Sequence, residues 1–506
     1  MIAQGDVDLA LLGGAGVALV AIAGVRMSTR LGVPSLLLYL GIGMLLGEDV
    51  LGLRFDNAAL AQAIGLIALA LIVAEGGLTT RWSTVRPVVG PAALLATVGV
   101  AVSVALTAVA AKFVLGVDWR TGALVAAIVS PTDAAAVFST LRALRLPQRL
   151  VAVLEMESGV NDAPVVILVS LLSATGGTWL GATGRLGYEL AVGGALGVAV
   201  GFVGVVLLRR AALPAAGLYP VATLALAVAS YGAAASAHAS GFLAVYVTGL
   251  MLGNAALPHR RATAGFVEGI GWLAQIGLFV MLGLLATPSR LGSAVLPALA
   301  IGSVLLLLAR PASVLASTVG FGMAWREKAF LSAAGLRGAV PIVLTTIPLT
   351  KGVDGAHRVF DVVFVLVAAF TLVQAPALAP MARRLRLVAP AAAHDLDVEA
   401  APLDEILADL VTVQIPARSK LHGVEVWELR LPPTAALAFV VRKGEGFVPN
   451  RETRLLEGDH LLIVTAREQR DAVERRLRAI GRSGRLARFL GDDGADSVSP
   501  TRTQRQ

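Results

Sequence analysis

The sequence predicts an all-α polytopic membrane protein that carries a small α/β domain at its C-terminal end, and three observations predict it. Of 506 residues 56% are hydrophobic, and mean hydropathy is +0.78. Before Arg386, apolar segments recur between short polar loops, each of the roughly 20 residues that a helix needs to cross a hydrocarbon core of about 30 Å. After Arg386 the composition changes to a charged, mixed pattern.

Thirteen such spans are read, near 7–25, 34–52, 58–79, 87–111, 120–143, 149–174, 186–208, 217–237, 240–257, 265–287, 291–318, 327–349 and 359–382. They define a membrane domain over 1–386. Orientation follows from Lys and Arg, which are retained on the cytoplasmic side. With the N-terminus outside, the inner loops hold sixteen basic residues, among them Arg26, Arg81, Arg149, Arg260 and Arg383. The outer loops hold seven: Arg54, Lys112, Arg120, Arg185, Arg290, Lys351 and Arg358. With an odd number of spans the C-terminal domain is cytoplasmic, and the expected location is the cell inner (plasma) membrane.

The net charge of +8 is therefore a membrane-anchoring asymmetry, and no nucleic-acid partner is expected. The chain has no Cys, which excludes disulfides and thiolate metal sites. The N-terminus, with Asp6 and Asp8 and no basic region, does not resemble a cleaved signal peptide. There is no GxxxxGK[ST] motif for ATP, so the chain reads as no enzyme and no cofactor is expected. His238 lies near a helix end and the other histidines lie in loops or the tail, so none is assigned to a metal.

Transporter folds often contain inverted repeats. GMLLG (Gly43 to Gly47) in span 2 resembles GLMLG (Gly249 to Gly253) in span 9, and segments seven spans apart cross in opposite senses. Either the match is chance in a Gly-rich chain, or spans 1–6 pair with 8–13 and span 7 is the connector. Span 7 carries Gly193, Gly197, Gly201 and Gly204, a stripe that allows close helix packing.

Ionisable side chains in such spans are costly and usually line a polar site or ion path. Span 5 contains Ser130-Pro131-Thr132-Asp133, and proline there interrupts the helix. The freed carbonyls can face an ion, or Asp133 can cap the second half-helix; both readings can hold together. On span 6, Glu157 and Asn161 are one turn apart, as are Ser158 and Asp162, so the two pairs lie on adjoining faces. Arg310, in ARPAS on span 11, needs a counter-charge, and Glu157 is assigned to it as a structural salt bridge. That leaves Asp162 free. A desolvated carboxylate without a fixed partner holds a proton or a monovalent cation by turns, which is the physical core of cation/proton exchange. Asn161 orients it.

Arg337 lies in GLRGAVP on span 12, between Gly335 and Gly338, so that helix too is irregular. Under the repeat, spans 5 and 12 are two broken helices crossing at mid-membrane, and Arg337 compensates their half-helix dipoles. Glu75, at the end of span 3, belongs either near the site or at the membrane interface.

In these words, SPTDAAAV, ESGVNDAP, ARPAS and GLRGAVP, the chain resembles the monovalent cation:proton antiporters of the NhaP and sodium/proton exchanger type. The resemblance implies thirteen helices, a homodimer and two crossing unwound helices. It makes Asp162 the ion and proton carrier, with Ser158, the Thr132 backbone, Asp133 and Glu75 around the cation, and no metal beyond that alkali ion. Asn161 and the Glu157–Arg310 pair hold the site together. Relatives with Asn-Asp are generally electroneutral.

After the linker, 387–402, strand-like runs at Val411 to Ile415, Leu437 to Arg442 and Leu461 to Thr465 precede a charged helix near Glu468 to Ile480. The stretch 403–481 resembles the C-terminal regulatory (RCK-C) domain of TrkA-type potassium-transport proteins. That resemblance favours K+ over Na+. It leaves open whether the domain binds a small-molecule or nucleotide effector or only dimerises. Residues 482–506 read as disordered. A tail-gated cation channel and a transport-inactive sensor are the alternatives to a K+ or Na+/H+ antiporter.

Overall fold

The computed structural model describes residues 4–31, 34–53, 55, 57–133, 146–174, 179–211, 213–388, 397–403, 408–416, 419–484 and 487. Two calls lie outside them: the second half of span 5 after Asp133, and nearly all of the tail beyond 484. The chain forms two compact units, Met1–Val388 and Ala389–Gln506.

The first unit is helical. Its elements are α1 (Gln4–Leu31), α2 (Ser35–Leu46), α3 (Ala58–Thr79), α4 (Trp82–Leu115), α5 (Trp119–Val129), α6 (Gln148–Leu172) and α7 (Trp179–Arg210). They are followed by α8 (Leu218–Ser236), α9 (Gly241–Asn254), α10 (Arg260–Leu285), α11 (Pro288–Thr318), α12 (Trp325–Ala333), α13 (Ala339–Thr350) and α14 (Ala356–Arg384). Among the described residues, seven helices are long and apolar enough to cross a membrane, and shorter apolar helices such as α2, α5, α9 and α13 lie among them.

Helix α2 is shorter than the expected 34–52. It stops at Gly47, and the polar Glu48-Asp49 pair that follows forms a turn which closes at Gly52 with a positive φ. The two similar Gly-flanked pentapeptides do corresponding work. Gly43 of α2 packs on the backbone of Val280 and Gly283 in α10, while Gly249 and Gly253 of α9 pack on Ala74, Gly77 and Leu78 of α3. A side chain at any of these positions would hold the helices apart.

Helices α4 and α11 each contain one π-helical turn, Leu95–Gly99 and Leu305–Ala309. The turns lie where these two helices cross, with Gly99 tight against Ser313 and Ser317. The Ser317 hydroxyl donates to the Leu94 carbonyl (3.1 Å), that of the residue just before the irregularity. The second turn ends at Ala309, where Arg310 and Pro311 begin the helix that carries the site's buried arginine.

The second unit is an antiparallel five-stranded sheet in the order β1-β2-β5-β3-β4, with β1 (Asp397–Leu403), β2 (Ala408–Gln414), β3 (Ala435–Arg442), β4 (Glu445–Phe447) and β5 (His460–Ala466). Helix α15 (Arg470–Ser483) sends Val473, Leu477 and Ile480 into a core with Val411, Val413, Val440, Leu461 and Ile463. Strand β1 occupies residues that the sequence assigns to the linker. Its Pro402 has no N–H to give, which an edge strand tolerates. Strand β4 is only three residues long, and it returns from β3 through Lys443 and Gly444, both at positive φ as a tight hairpin requires.

Candidate functional site

Two interrupted helices meet in the first unit. The α5 helix ends at Val129, and the chain from Ser130 to Asp133 is not helical. The Ser130 hydroxyl turns back to the Ala126 carbonyl (2.6 Å), Pro131 has no amide hydrogen, and the Asp133 N–H donates instead to the Leu336 carbonyl (2.9 Å). Leu336 belongs to the second interruption, between the end of α12 at Ala333 and the start of α13 at Ala339. Each break therefore offers backbone to the other, the condition for non-helical chain at this depth.

Charge is exchanged across the same crossing. The Asp133 carboxylate accepts from the Ala339 N–H (3.2 Å), the first amide of α13. The Arg337 guanidinium donates through Nε to the Val129 carbonyl (3.3 Å), the last of α5, and through Nη1 to the Gly335 carbonyl. An anion at one helix N-terminus and a cation at another's C-terminus each complement the local dipole. Asp133 thus caps the other broken helix, a role the sequence reading considered only for its own. Gly338 and Gly335 leave the space: a Cβ on Gly338 would overlap the Asp133 carboxylate, and one on Gly335 would come within 2.8 Å of Arg310 Nε.

Beside the crossing stands a polar cluster on α6. The Thr132 hydroxyl lies 3.1 Å from that of Ser158 and accepts from Asn161 Nδ2 (2.8 Å). Asp162 is one turn beyond Ser158 and 5% exposed, and Asp133 is within electrostatic reach of it. Among the described residues, Asn161 Oδ1 and Asp162 Oδ1 are buried without a hydrogen-bond partner. Hydroxyl, amide and carboxylate oxygens of this kind suit a hard cation, and the carboxylate equally suits a proton.

On the adjoining face of α6, Glu157 is held by Arg310 of α11 through two hydrogen bonds of 2.5 and 2.8 Å, with the side chains 1% and 3% exposed. The pair is bidentate, the geometry in which an arginine–carboxylate contact is strongest. The Glu75 carboxylate lies over Gly271 of α10.

Several supporting residues escape a reading of motifs. The Thr371 hydroxyl of α14 donates to the Arg337 carbonyl (2.8 Å), and Gln374 Nε2 donates to the Ala333 carbonyl at the end of α12 (3.5 Å). Their signal in the sequence is a polar side chain in an apolar span, and both are buried. Three of the seven basic residues assigned to outer loops donate to backbone carbonyls at helix ends. Arg120 donates to the Leu172 carbonyl (2.8 Å) and to Ala174, Lys351 to Ser170 (3.0 Å), and Arg358 to Leu115 (3.3 Å). All are carbonyls at or just beyond the C-terminal ends of α6 and α4, where a cation is favoured.

Comparison with known proteins gives the chain's relatives. The family described as "Sodium/hydrogen exchanger, transmembrane" matches residues 16–384, and the TrkA-C domain matches residues 410–478. The chain is 38% identical over 438 residues to the K(+)/H(+) antiporter NhaP of Alkalimonas amylolytica, covering 84% of this chain and 76% of the relative. It is 36% identical over 478 residues to the K(+)/H(+) antiporter NhaP2 of Shewanella oneidensis, covering 92% and 83%. Its fold is similar to that of the sodium proton antiporter MjNhaP1 from Methanocaldococcus jannaschii, with a TM-score of 0.65 at 20% identity over 75% of this chain and 99% of that one.

Proposed function

Because the chain belongs to the sodium/hydrogen exchanger family, we propose that it is a secondary antiporter that exchanges K+, with Na+ as the second candidate, for H+ across the inner membrane. One observation carries this reading: Asp162 is buried with an unpartnered oxygen beside Thr132, Ser158 and Asn161, while its neighbour Glu157 is locked to Arg310. Asp162 is the carrier. It takes a proton or the cation by turns, and Ser158, Thr132 and Asp133 complete the cation's surroundings, with Glu75 at their edge. Asn161 holds Thr132 in place, and Arg337 supports the crossing.

The membrane domain 1–386 crosses the bilayer thirteen times as two inverted repeats. The corresponding contacts of α2 with α10 and α9 with α3, and the paired π-helical turns in α4 and α11, support that symmetry. The bias of positive charge supports an external N-terminus and a cytoplasmic C-terminal domain over 403–481. Exchange is electroneutral, and the protein is a homodimer; both follow from the family resemblance. The C-terminal domain regulates exchange, with or without an effector.

The test uses the purified protein in proteoliposomes. Addition of K+ or Na+ should move protons without a membrane potential, and Asp162→Asn should abolish this while the melting temperature is kept. A current that ignores the proton gradient would favour a channel, and normal exchange by Asp162→Asn would remove Asp162 from its role.

A further inference from the structure

The site uses Glu157 and Asp162 of α6 and leaves a third carboxylate of that helix, Glu155, without a role. At 100° per residue, Glu155, Ser158 and Asp162 share one face, and Glu157 projects from the other. A rise of 1.5 Å per residue places Glu155 about 10 Å from Asp162, toward the N-terminal end of α6.

The accessibility of that face changes along its length. Val151, Glu155 and Gly159 are partly exposed, Ser158 and the turn from Asn161 to Val165 are buried, and partial exposure resumes at Val166. A partly open strip thus runs from the start of the helix and stops one turn short of Asp162. Tyr246 of α9 borders it: its ring packs on Gly159, and Tyr246 is within electrostatic reach of Glu155. Among the described residues, Glu155 makes no side-chain hydrogen bond or ion pair. A carboxylate against lipid would be costly. A partly exposed one, on the strip that leads to a buried acid with an unpartnered oxygen, fits an aqueous approach.

We propose that Glu155 is a staging carboxylate that draws the monovalent cation toward Asp162 from the side of the α6 N-terminus. This rests on the antiport reading above. A fixed negative charge in a narrow cleft raises the local cation concentration. At about 10 Å and an effective dielectric constant near 20, the interaction of two unit charges changes occupancy roughly ten-fold. The effect belongs to one side of the membrane, because an ion entering from the other side meets the buried turn Asn161 to Val165 before it comes near Glu155.

Everted and right-side-out membrane vesicles holding the full chain present the two faces separately. Glu155→Gln should raise the apparent KM for K+ about ten-fold at the face of the α6 N-terminus. Vmax, the KM at the opposite face and the melting temperature should stay close to those of the unaltered protein, and Glu155→Asp should be intermediate. An unchanged KM at that face, an equal rise at both faces, or a loss of stability without a KM effect overturns the inference while exchange by the unaltered protein still stands. Failure of the unaltered protein to exchange either ion for H+ removes the antiport reading as well.

Discussion

Replacing Glu157 by Gln keeps the shape of the side chain and removes its charge. Arg310 then remains 3% exposed with no carboxylate to meet its two hydrogen bonds of 2.5 and 2.8 Å. Breaking a buried pair from one side costs about 3–5 kcal/mol. For a unit of 388 residues the unfolding entropy is on the order of 0.8 kcal/mol/K, so the expected fall in Tm is about 5 °C. Arg310→Ala should cost at least as much, because the uncompensated carboxylate is joined by a cavity. The informative variant is the double one, Glu157→Leu with Arg310→Met, which removes both charges and keeps the volume filled. Such replacements are often neutral or stabilising, so the double variant should melt within about 2 °C of the unaltered protein and still exchange. Intrinsic tryptophan fluorescence on heating and proton flux in proteoliposomes measure the two quantities. A double variant as unstable as either single one, or a single variant with unchanged Tm and no exchange, would refute a purely structural role for the pair.

Gly338→Ala brings a methyl group onto the Asp133 carboxylate, so the cap on Ala339 should be lost; exchange should fall at least ten-fold at a stability cost of about 1–2 kcal/mol. Thr371→Val removes the hydrogen bond to the Arg337 carbonyl, which should cost about 1 kcal/mol and leave the KM for the cation unchanged. In the C-terminal unit, burial by itself would raise the Asp459 carboxyl, but the paired N–H groups of Arg442 and the Leu456 amide hold it below the usual carboxylate range. Its stabilisation is therefore present above the unfolded value of about 3.9 and is lost as pH falls through the lower folded value. Hydrogen exchange of β2 and β5 in the full chain should show this loss at acid pH, and Asp459→Asn should show it already at pH 7, by about 2 kcal/mol.

The membrane helices and the buried acids are legible in the sequence because each rests on a local cost: an apolar run must leave water, and a charge within it must find a partner. Glu157 with Arg310 follows from that cost, since Arg310 has few carboxylates to choose from. The partners of Asp133 and Arg337 do not follow, because Ala339 and Val129 lie about 200 residues away and meet them only where the two breaks cross. Thr371 and Gln374 are equally hidden, since a polar residue in a helix ordinarily bonds to its own preceding turn. Glu155 stands two residues before the motif and gains meaning only from the accessible strip around it. In the C-terminal unit, β1 is obscured by Pro402 and by acidic residues, and β4 by its length.

The mutual capping of the two breaks has a mechanical consequence. Asp133 and Arg337 lash each discontinuous helix to the other, so shifting one alone would orphan two helix ends and a guanidinium at once. The knot should therefore move as one piece, and on the antiport reading proposed above, the motion that presents Asp162 to each compartment in turn would fall at its edges, where glycines allow close contact, at Gly65 against Val343 and at Gly159 against Tyr246.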